Sequence, residues 1–125
     1  MNKEENKEKL KNNKIELEYQ IEQLQKIIEK LDEQLLEVMN AKESLEDIKN
    51  LSDNEEALFP IQNGIFVKGK ILDNKKIFLN VGSNVVAEKD IVYAIDLMKK
   101  QYDEIQNYKH ELIKQLELLI NDLNQ

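Results

Sequence analysis

The sequence has few of the residues that crosslink chains or interrupt helices. Among 125 residues there is no Cys, a single Pro and only three Gly. Without cysteine, neither a disulfide framework nor a cysteine-ligated metal centre is possible. Gly and Pro are the strongest breakers of regular structure, so their scarcity predicts long uninterrupted helices. The few that occur fall between Pro60 and Gly82, which predicts a different structure in the middle of the chain.

The chain also lacks arginine and any long apolar run. Its net charge is −7, whereas a surface that binds nucleic acid needs a cationic excess, so we expect no nucleic-acid partner. The charged start at Met1 does not resemble a secretion signal, and no segment is apolar enough to cross a bilayer. We therefore expect a cytoplasmic protein that neither enters nor spans a membrane.

Apolar residues recur with a heptad spacing in both halves of the chain. In the first half the two series are Leu10, Leu17, Leu24, Leu31, Val38 and Leu45, and Lys14, Ile21, Ile28, Leu35, Lys42 and Lys49. In the second half they are Ile91, Met98, Ile105, Leu112 and Leu119, and Ile95, Tyr102, Lys109, Leu116 and Leu123. Two seams of this regularity predict a coiled coil.

Between these helices the apolar period falls to two. Ile65, Val67 and Ile71 alternate with polar or outward-facing residues, as do Ile77, Leu79 and Val81. With a turn at 73–75, this pattern predicts a β-hairpin in which Ile71 faces Ile77 and Val67 faces Val81. Shorter strands are expected at 58–61 and 85–87, beside turns at 62–64 and 82–84, so that two hairpins form.

The predicted fold class is mainly α with a small β region: a long antiparallel coiled-coil hairpin with two β-hairpins at its base. Residues 1–125 would form one domain, with an N-terminal arm at 1–52, two β-hairpins at 57–88 and a C-terminal arm at 89–125. We expect the first fourteen residues, which are poor in apolar side chains, to fray.

Four short strands cannot bury their own apolar face, and their edges stay open to pairing with another chain. Residues 58–89 also carry a net charge of +3, whereas the rest of the chain carries −10. We therefore predict an oligomerisation centre. Its apolar residues, called the hub residues below, are Phe59, Ile61, Ile65, Phe66, Val67, Ile71, Ile77, Phe78, Leu79, Val81, Val85 and Val86.

The middle of the chain resembles the alpha-class subunits of prefoldin. The resemblance lies in Phe59-Pro60-Ile61-x-x-Gly64-x-Phe66-Val67-Lys68-x-Lys70-Ile71-x-Asp73 and in Val81-Gly82-Ser83-x-x-x-x-Glu88-Lys89-Asp90-Ile91, with arms of matching length on both sides. The family often has Gly-x-Gly at both turns, whereas here 62–64 and 82–84 each keep one Gly. Asn can adopt the same left-handed conformation.

The resemblance implies an ATP-independent molecular chaperone, or holdase, with no cofactor. It implies a hexamer of two alpha-class and four beta-class subunits, in which hairpins form a platform and coiled coils project from it. Such an assembly captures unfolded client proteins and passes them to a group II chaperonin.

Apolar residues crowd the C-terminal end of the second arm. We call them the C-terminal cluster: Leu112, Ile113, Leu116, Leu118, Leu119, Ile120 and Leu123. Seam positions account for four of them, but Ile113, Leu118 and Ile120 lie outside the seam, where an antiparallel pair needs no apolar residue. We predict that the cluster binds clients; a widened core or packing against a neighbour is the alternative.

Other functions fit less well. The sequence has no nucleophile–base pair, phosphate-binding loop, dinucleotide fingerprint or metal-ligand spacing, so we predict that it is not an enzyme and holds no metal. Its open strand edges leave a second possibility, an alpha-like prefoldin that self-associates into large homo-oligomers or filaments. A purely structural coiled-coil scaffold is a third possibility, although a scaffold does not need apolar residues beside the seam.

Overall fold

A computed structural model describes residues 2–125 as two long helices separated by four strands. In chain order the elements are α1 (Lys3–Lys49), β1 (Glu56–Gln62), β2 (Ile65–Lys70), β3 (Lys76–Gly82), β4 (Val85–Asp90) and α2 (Ile91–Leu123). The predicted fold class is confirmed. Neither helix offers a stretch long and apolar enough to cross a membrane within the residues described.

Residue contacts divide the chain into two compact units. The helical unit contains the chain up to Glu37 together with Tyr102–Gln125. The strand unit contains Val38–Gln101, which includes all four strands.

The two helices of the helical unit run antiparallel. Lys109 Nζ on α2 lies 2.5 Å from Asp32 Oδ1 on α1. Further toward the start of α1, Leu24 lines the same groove as Leu119. Residue numbers therefore rise along α1 while they fall along α2, as the predicted coiled-coil hairpin requires.

The burial of the helical unit follows the heptad seam. On α2 every predicted seam position from Tyr102 to Leu123 is half-buried or buried, and on α1 the same holds from Leu17 to Leu35. Among the described residues of this unit, Leu31, Leu35 and Leu112 are the buried apolar side chains. Removing these apolar surfaces from water stabilises the pairing at roughly 25 cal/mol per Å².

The first residues of α1 depart from the sequence prediction in two ways. The segment predicted to fray is helical in the structure, because α1 already begins at Lys3. The seam, however, does not reach Leu10 and Lys14, and every residue from Asn2 to Glu16 is exposed. The described part of α2 extends to Leu123, which lies level with about the turn of Leu17.

Lys109 occupies a seam position of α2, where packing and charge compete. The Lys109 side chain is 24% exposed and its Asp32 partner is 51% exposed, so water screens the ion pair and its net stabilisation is small. We expect Lys109→Leu to raise the free energy of unfolding by about 1 kcal/mol, because a leucine would bury more apolar surface there. Thermal unfolding followed by circular dichroism measures the change. Asp32→Asn is the control, with a loss below about 1 kcal/mol; any loss of stability in Lys109→Leu would contradict the prediction.

The strand pairing in the strand unit corrects the predicted hairpin. Within residues 2–125, β1 pairs with β2 and β3 pairs with β4, each as a separate two-stranded antiparallel sheet. Val67 therefore faces Phe59 rather than Val81. Ile77 faces Lys89 rather than Ile71. The predicted number of hairpins is right, but the predicted pairing of 65–71 with 77–81 is wrong.

Turn geometry explains which strands pair. Asn63 and Gly64 have φ of 53° and 77°, and Ser83 and Asn84 have φ of 50° and 62°. Positive φ at both central residues is the two-residue hairpin turn whose twist matches that of the flanking strands. These turns close β1 onto β2 and β3 onto β4, and asparagine does adopt the left-handed conformation predicted for it.

Residues 73–75, which were predicted to form a hairpin turn, instead contact the end of α1 through Asn74. The Asn74 side-chain amide donates to the carbonyl oxygens of Lys49 and Leu51, at 3.0 and 2.9 Å. Lys49 is the last residue of α1, where the carbonyls have no internal donor, and Leu51 lies two residues beyond it. Residues 71–75 therefore connect the two hairpins, and the hydrogen bonds of Asn74 attach this segment to the end of α1.

Asn74 offers a direct test of this attachment. Replacing Asn74 with Ala removes both hydrogen bonds, and we expect the free energy of unfolding to fall by about 1–2 kcal/mol. Asn74→Asp keeps the size of the side chain but places acceptors against two carbonyls, so its loss should be at least as large. Thermal unfolding at one protein concentration measures both, and an unchanged midpoint in Asn74→Asp would contradict the attachment.

The second hairpin extends further than predicted. Lys89 and Asp90 still pair with Ile77 and Lys76, so α2 begins at Ile91 rather than at residue 89. The backbone N–H of Ile91 donates to Lys75 O at 2.8 Å. A hydrogen bond to Asp90, together with its negative charge, raises the pKa of Lys76 above its usual value.

Candidate functional site

The strand unit exposes most of the predicted hub residues. Four of the twelve are half-buried: Phe59, Ile71, Ile77 and Leu79. The other eight are exposed: Ile61, Ile65, Phe66, Val67, Phe78, Val81, Val85 and Val86. Such a concentration of exposed apolar side chains is typical of an interaction surface, because a folded chain rarely leaves a contiguous apolar patch in water.

The pleat of each hairpin separates a covered face from an open one. Phe59 and Leu79 lie on the half-buried face, where a Cβ at Gly69 would be 3.4 Å from the Phe59 ring, an ordinary van der Waals contact. Phe66 and Phe78 lie on the opposite face and are 57% and 75% exposed. Each sheet has only two strands, so both hairpins also have unpaired edges.

Sequence reasoning missed several exposed apolar residues of this unit. Leu58 is 64% exposed, and Val92 and Tyr93, at the start of α2, are about half exposed. Leu58 could have been found from the period-two pattern, since it precedes Phe59 in the same strand. Leu72 is fully exposed in the connection between the hairpins, and the wrong strand pairing concealed it.

The two hairpins repeat one another with an offset of 20 residues. Gln62 pairs with Ile65 in the first, and Gly82 pairs with Val85 in the second, each after a register shift. Charges at three equivalent positions are inverted: Glu56 corresponds to Lys76, Lys68 to Glu88, and Lys70 to Asp90. The hairpins therefore have the same geometry and largely opposite charge patterns, although Lys89 corresponds to the uncharged Gly69.

The C-terminal cluster lies on α2 in the helical unit. Leu112 is buried, whereas Ile113, Leu116, Leu119 and Leu123 are half-buried. Leu118 and Ile120 are 65% and 36% exposed. The structure thus brings the seam members against α1 and leaves Leu118 and Ile120, two of the three off-seam residues, accessible.

A groove of about 450 Å³ runs between the helices beside this cluster. Leu118 and Leu119 line it from α2, together with Gln115. Residues of α1 that sequence reasoning did not assign to the site complete it: Tyr19, Gln20, Gln23 and Leu24. The antiparallel heptad register was the signal that could have found them, because it places the turns near Leu24 opposite Leu119.

Comparisons with known proteins agree with this architecture. The family model described as prefoldin subunit matches residues 17–125. A curated prefoldin subunit alpha of Methanococcus aeolicus is 30% identical over 110 residues, which cover 88% of this chain and 76% of that protein. The prefoldin subunit alpha of Pyrococcus horikoshii is 33% identical over 119 residues, covering 88% of this chain and 80% of that protein.

The fold also matches a solved structure. Filamentous PFD from Methanocaldococcus jannaschii, determined by cryo-EM, superposes with a TM-score of 0.75 at 21% identity, covering 90% of this chain and 94% of the other. Two long helices joined by two β-hairpins are therefore a shared architecture. The matched family model and the identity to alpha subunits over most of both chains show that this chain belongs to the prefoldin family of molecular chaperones.

Proposed function

We propose that the chain is a subunit of an ATP-independent holdase that captures unfolded proteins through its C-terminal cluster. The observation that carries the proposal is the presence of a separate exposed apolar surface in each unit. The strand unit offers Phe66, Phe78 and their neighbours, and the helical unit offers Leu118 and Ile120 beside the groove. An apolar surface accessible to solvent is what an unfolded chain can bind through its own apolar segments.

The hub residues serve assembly in this proposal. Two-stranded sheets are only marginally stable alone, and pairing with strands of other subunits would cover both the edges and the exposed face. The partners are beta-class prefoldin subunits, and the assembled complex delivers clients to a group II chaperonin in the cytoplasm. The chain then works as one prefoldin-like domain that needs no cofactor or bound metal.

The charge pattern of the hairpins favours a second candidate function, self-association into large homo-oligomers or filaments with holdase activity. Because the hairpins have similar geometry and opposite charges at three positions, the first hairpin of one copy is complementary to the second hairpin of another. A head-to-tail contact of this kind need not close into a ring. The similarity in fold to a filament-forming protein from Methanocaldococcus jannaschii is consistent with this arrangement.

Native mass separates these alternatives. The purified chain is measured alone and after mixing with a beta-class prefoldin subunit, and each sample is then tested for suppression of client aggregation without ATP. A closed hexamer only on mixing supports the hetero-oligomeric subunit, whereas large assemblies of the chain alone support self-association. Absence of suppression in both samples would reject the holdase and leave a structural coiled-coil scaffold.

A further inference from the structure

The groove between α1 and α2 combines an apolar floor with an acidic surround. Leu24, Leu118 and Leu119 line it together with the ring of Tyr19, and its other lining residues are uncharged glutamines. Residues three or four apart on a helix are neighbours on its surface. By that spacing, Glu16 lies one turn from Tyr19, and Asp122 lies one turn from Leu118 and Leu119.

A third carboxylate completes the surround. Glu111 lies one turn from Gln115, and Glu16, Glu111 and Asp122 are all exposed. Glu22 is also nearby but is paired with Lys26, at 3.4 Å. Within the described residues the other three carboxylates form no ion pair.

Acidic residues outnumber lysines around the groove on both α1 and α2. Within one turn of the lining residues lie four acidic residues and two lysines, Lys26 and Lys114, which gives a net charge of −2. A field of one sign around an apolar groove attracts ligands of the opposite sign and repels those of the same sign over a distance of about 10 Å. The groove therefore favours ligands that carry positive charge as well as apolar groups.

We infer that the groove binds unfolded segments in which apolar residues alternate with lysine or arginine. The inference rests on the proposed holdase function and specifies which clients it favours. Apolar side chains of the segment contact Leu24, Leu118 and Leu119, while its cationic groups lie toward Glu16, Glu111 and Asp122. A groove of about 450 Å³ accommodates part of an extended or helical segment but not a folded domain.

Two fluorescent peptides of equal length and equal apolar content test the inference. One carries lysine and the other glutamate at the same polar positions, and binding to the assembled protein is measured by fluorescence anisotropy. At low salt we expect the lysine peptide to bind about tenfold more tightly, and the preference to shrink toward unity in high salt as screening increases. Equal affinities at low salt, or tighter binding of the glutamate peptide, would overturn the inference.

Variants that neutralise the carboxylates around the groove test whether these residues cause the preference for the lysine peptide. Glu16→Gln, Glu111→Gln and Asp122→Asn are combined, and the preference for the lysine peptide should fall about threefold to tenfold. The matched control combines Glu33→Gln, Glu37→Gln and Asp103→Asn, which removes the same charge from exposed carboxylates that do not flank the groove. An equal fall in both triple variants would mean that net charge, and not the groove, sets the preference, and would overturn the assignment.

Failure of the charge selection can be distinguished from failure of the proposed holdase function. A protein that suppresses client aggregation but binds both peptides equally keeps its holdase function and contradicts the charge selection. A protein that suppresses no aggregation and binds neither peptide contradicts both.

Discussion

Replacing Phe66 and Phe78 with glutamate is expected to leave the protein unassembled. Both side chains are largely exposed within one chain, so the helices and hairpins should still fold. In an assembly each phenylalanine would bury apolar surface worth about 1.5–3 kcal/mol, and a buried glutamate would add a desolvation cost. The loss per copy is large enough to weaken association more than about 100-fold. Native mass spectrometry and light scattering measure the shift from large species to single chains.

A control pair separates loss of the hub from a general effect of added charge. Leu36 and Tyr108 are 61% and 51% exposed in the helical unit, and Leu36→Glu with Tyr108→Glu adds the same two charges there. We expect this variant to keep the native mass. Unchanged assembly in the Phe66 and Phe78 variant, with circular dichroism confirming its fold, would rule out these residues as the assembly surface.

Serine at Ile113, Leu118 and Ile120 is expected to reduce holdase activity without changing oligomer size. Together the three changes remove apolar surface from α2, while the seam residues Leu112, Leu116 and Leu119 remain. We expect about tenfold more protein to be needed for the same suppression of client aggregation, because weaker hydrophobic contact lowers client affinity. Light scattering of a heat-denatured client, without ATP, gives the protein concentration required.

Exposed apolar residues elsewhere in the same unit supply the comparison. Leu36→Ser and Tyr108→Ser remove apolar side chains that are 61% and 51% exposed and that do not line the groove. Suppression by this control should match that of the unmodified protein. If the Ile113, Leu118 and Ile120 variant also matches it, the C-terminal cluster does not bind clients.

The helices were predictable from sequence because a heptad repeat is a local signal that many residues reinforce. From Leu17 to Leu35 and from Tyr102 to Leu123, seam position and burial coincide. Leu10 and Lys14 show the limit of that signal. Their spacing fits the seam, but burial requires a facing helix, which the series on α1 alone does not reveal.

Strand pairing was less predictable because alternation indicates a strand but not its partner. Ile71 and Ile77 have compatible patterns, and residues 73–75 have turn chemistry. Two competing turns decided the pairing: Asn63-Gly64 and Ser83-Asn84 adopt left-handed geometry that matches strand twist. Asn74 instead contacts α1, an interaction between residues 23 and 25 positions apart that no local pattern indicates.

The two candidate surfaces, the hub residues and the groove, also differ in how far they could be predicted from the sequence. Hub residues such as Phe66 followed from the small number of strands, which cannot cover their own apolar face. The groove could not be predicted in this way, because Tyr19 and Leu24 come beside Leu118 only through the antiparallel pairing of distant segments. Charge around the groove acquires its meaning only after that pairing is known.

The unpaired first turns of α1 have a thermodynamic consequence. With every residue from Asn2 to Glu16 exposed, backbone hydrogen bonds and side-chain propensity alone hold this segment in its helix. Isolated helices of that length are marginal in water, and their helix content falls with rising temperature. The helix–coil equilibrium therefore makes this end of the protein a temperature-dependent extension, which lengthens on cooling and shortens on heating while the seam below it stays intact.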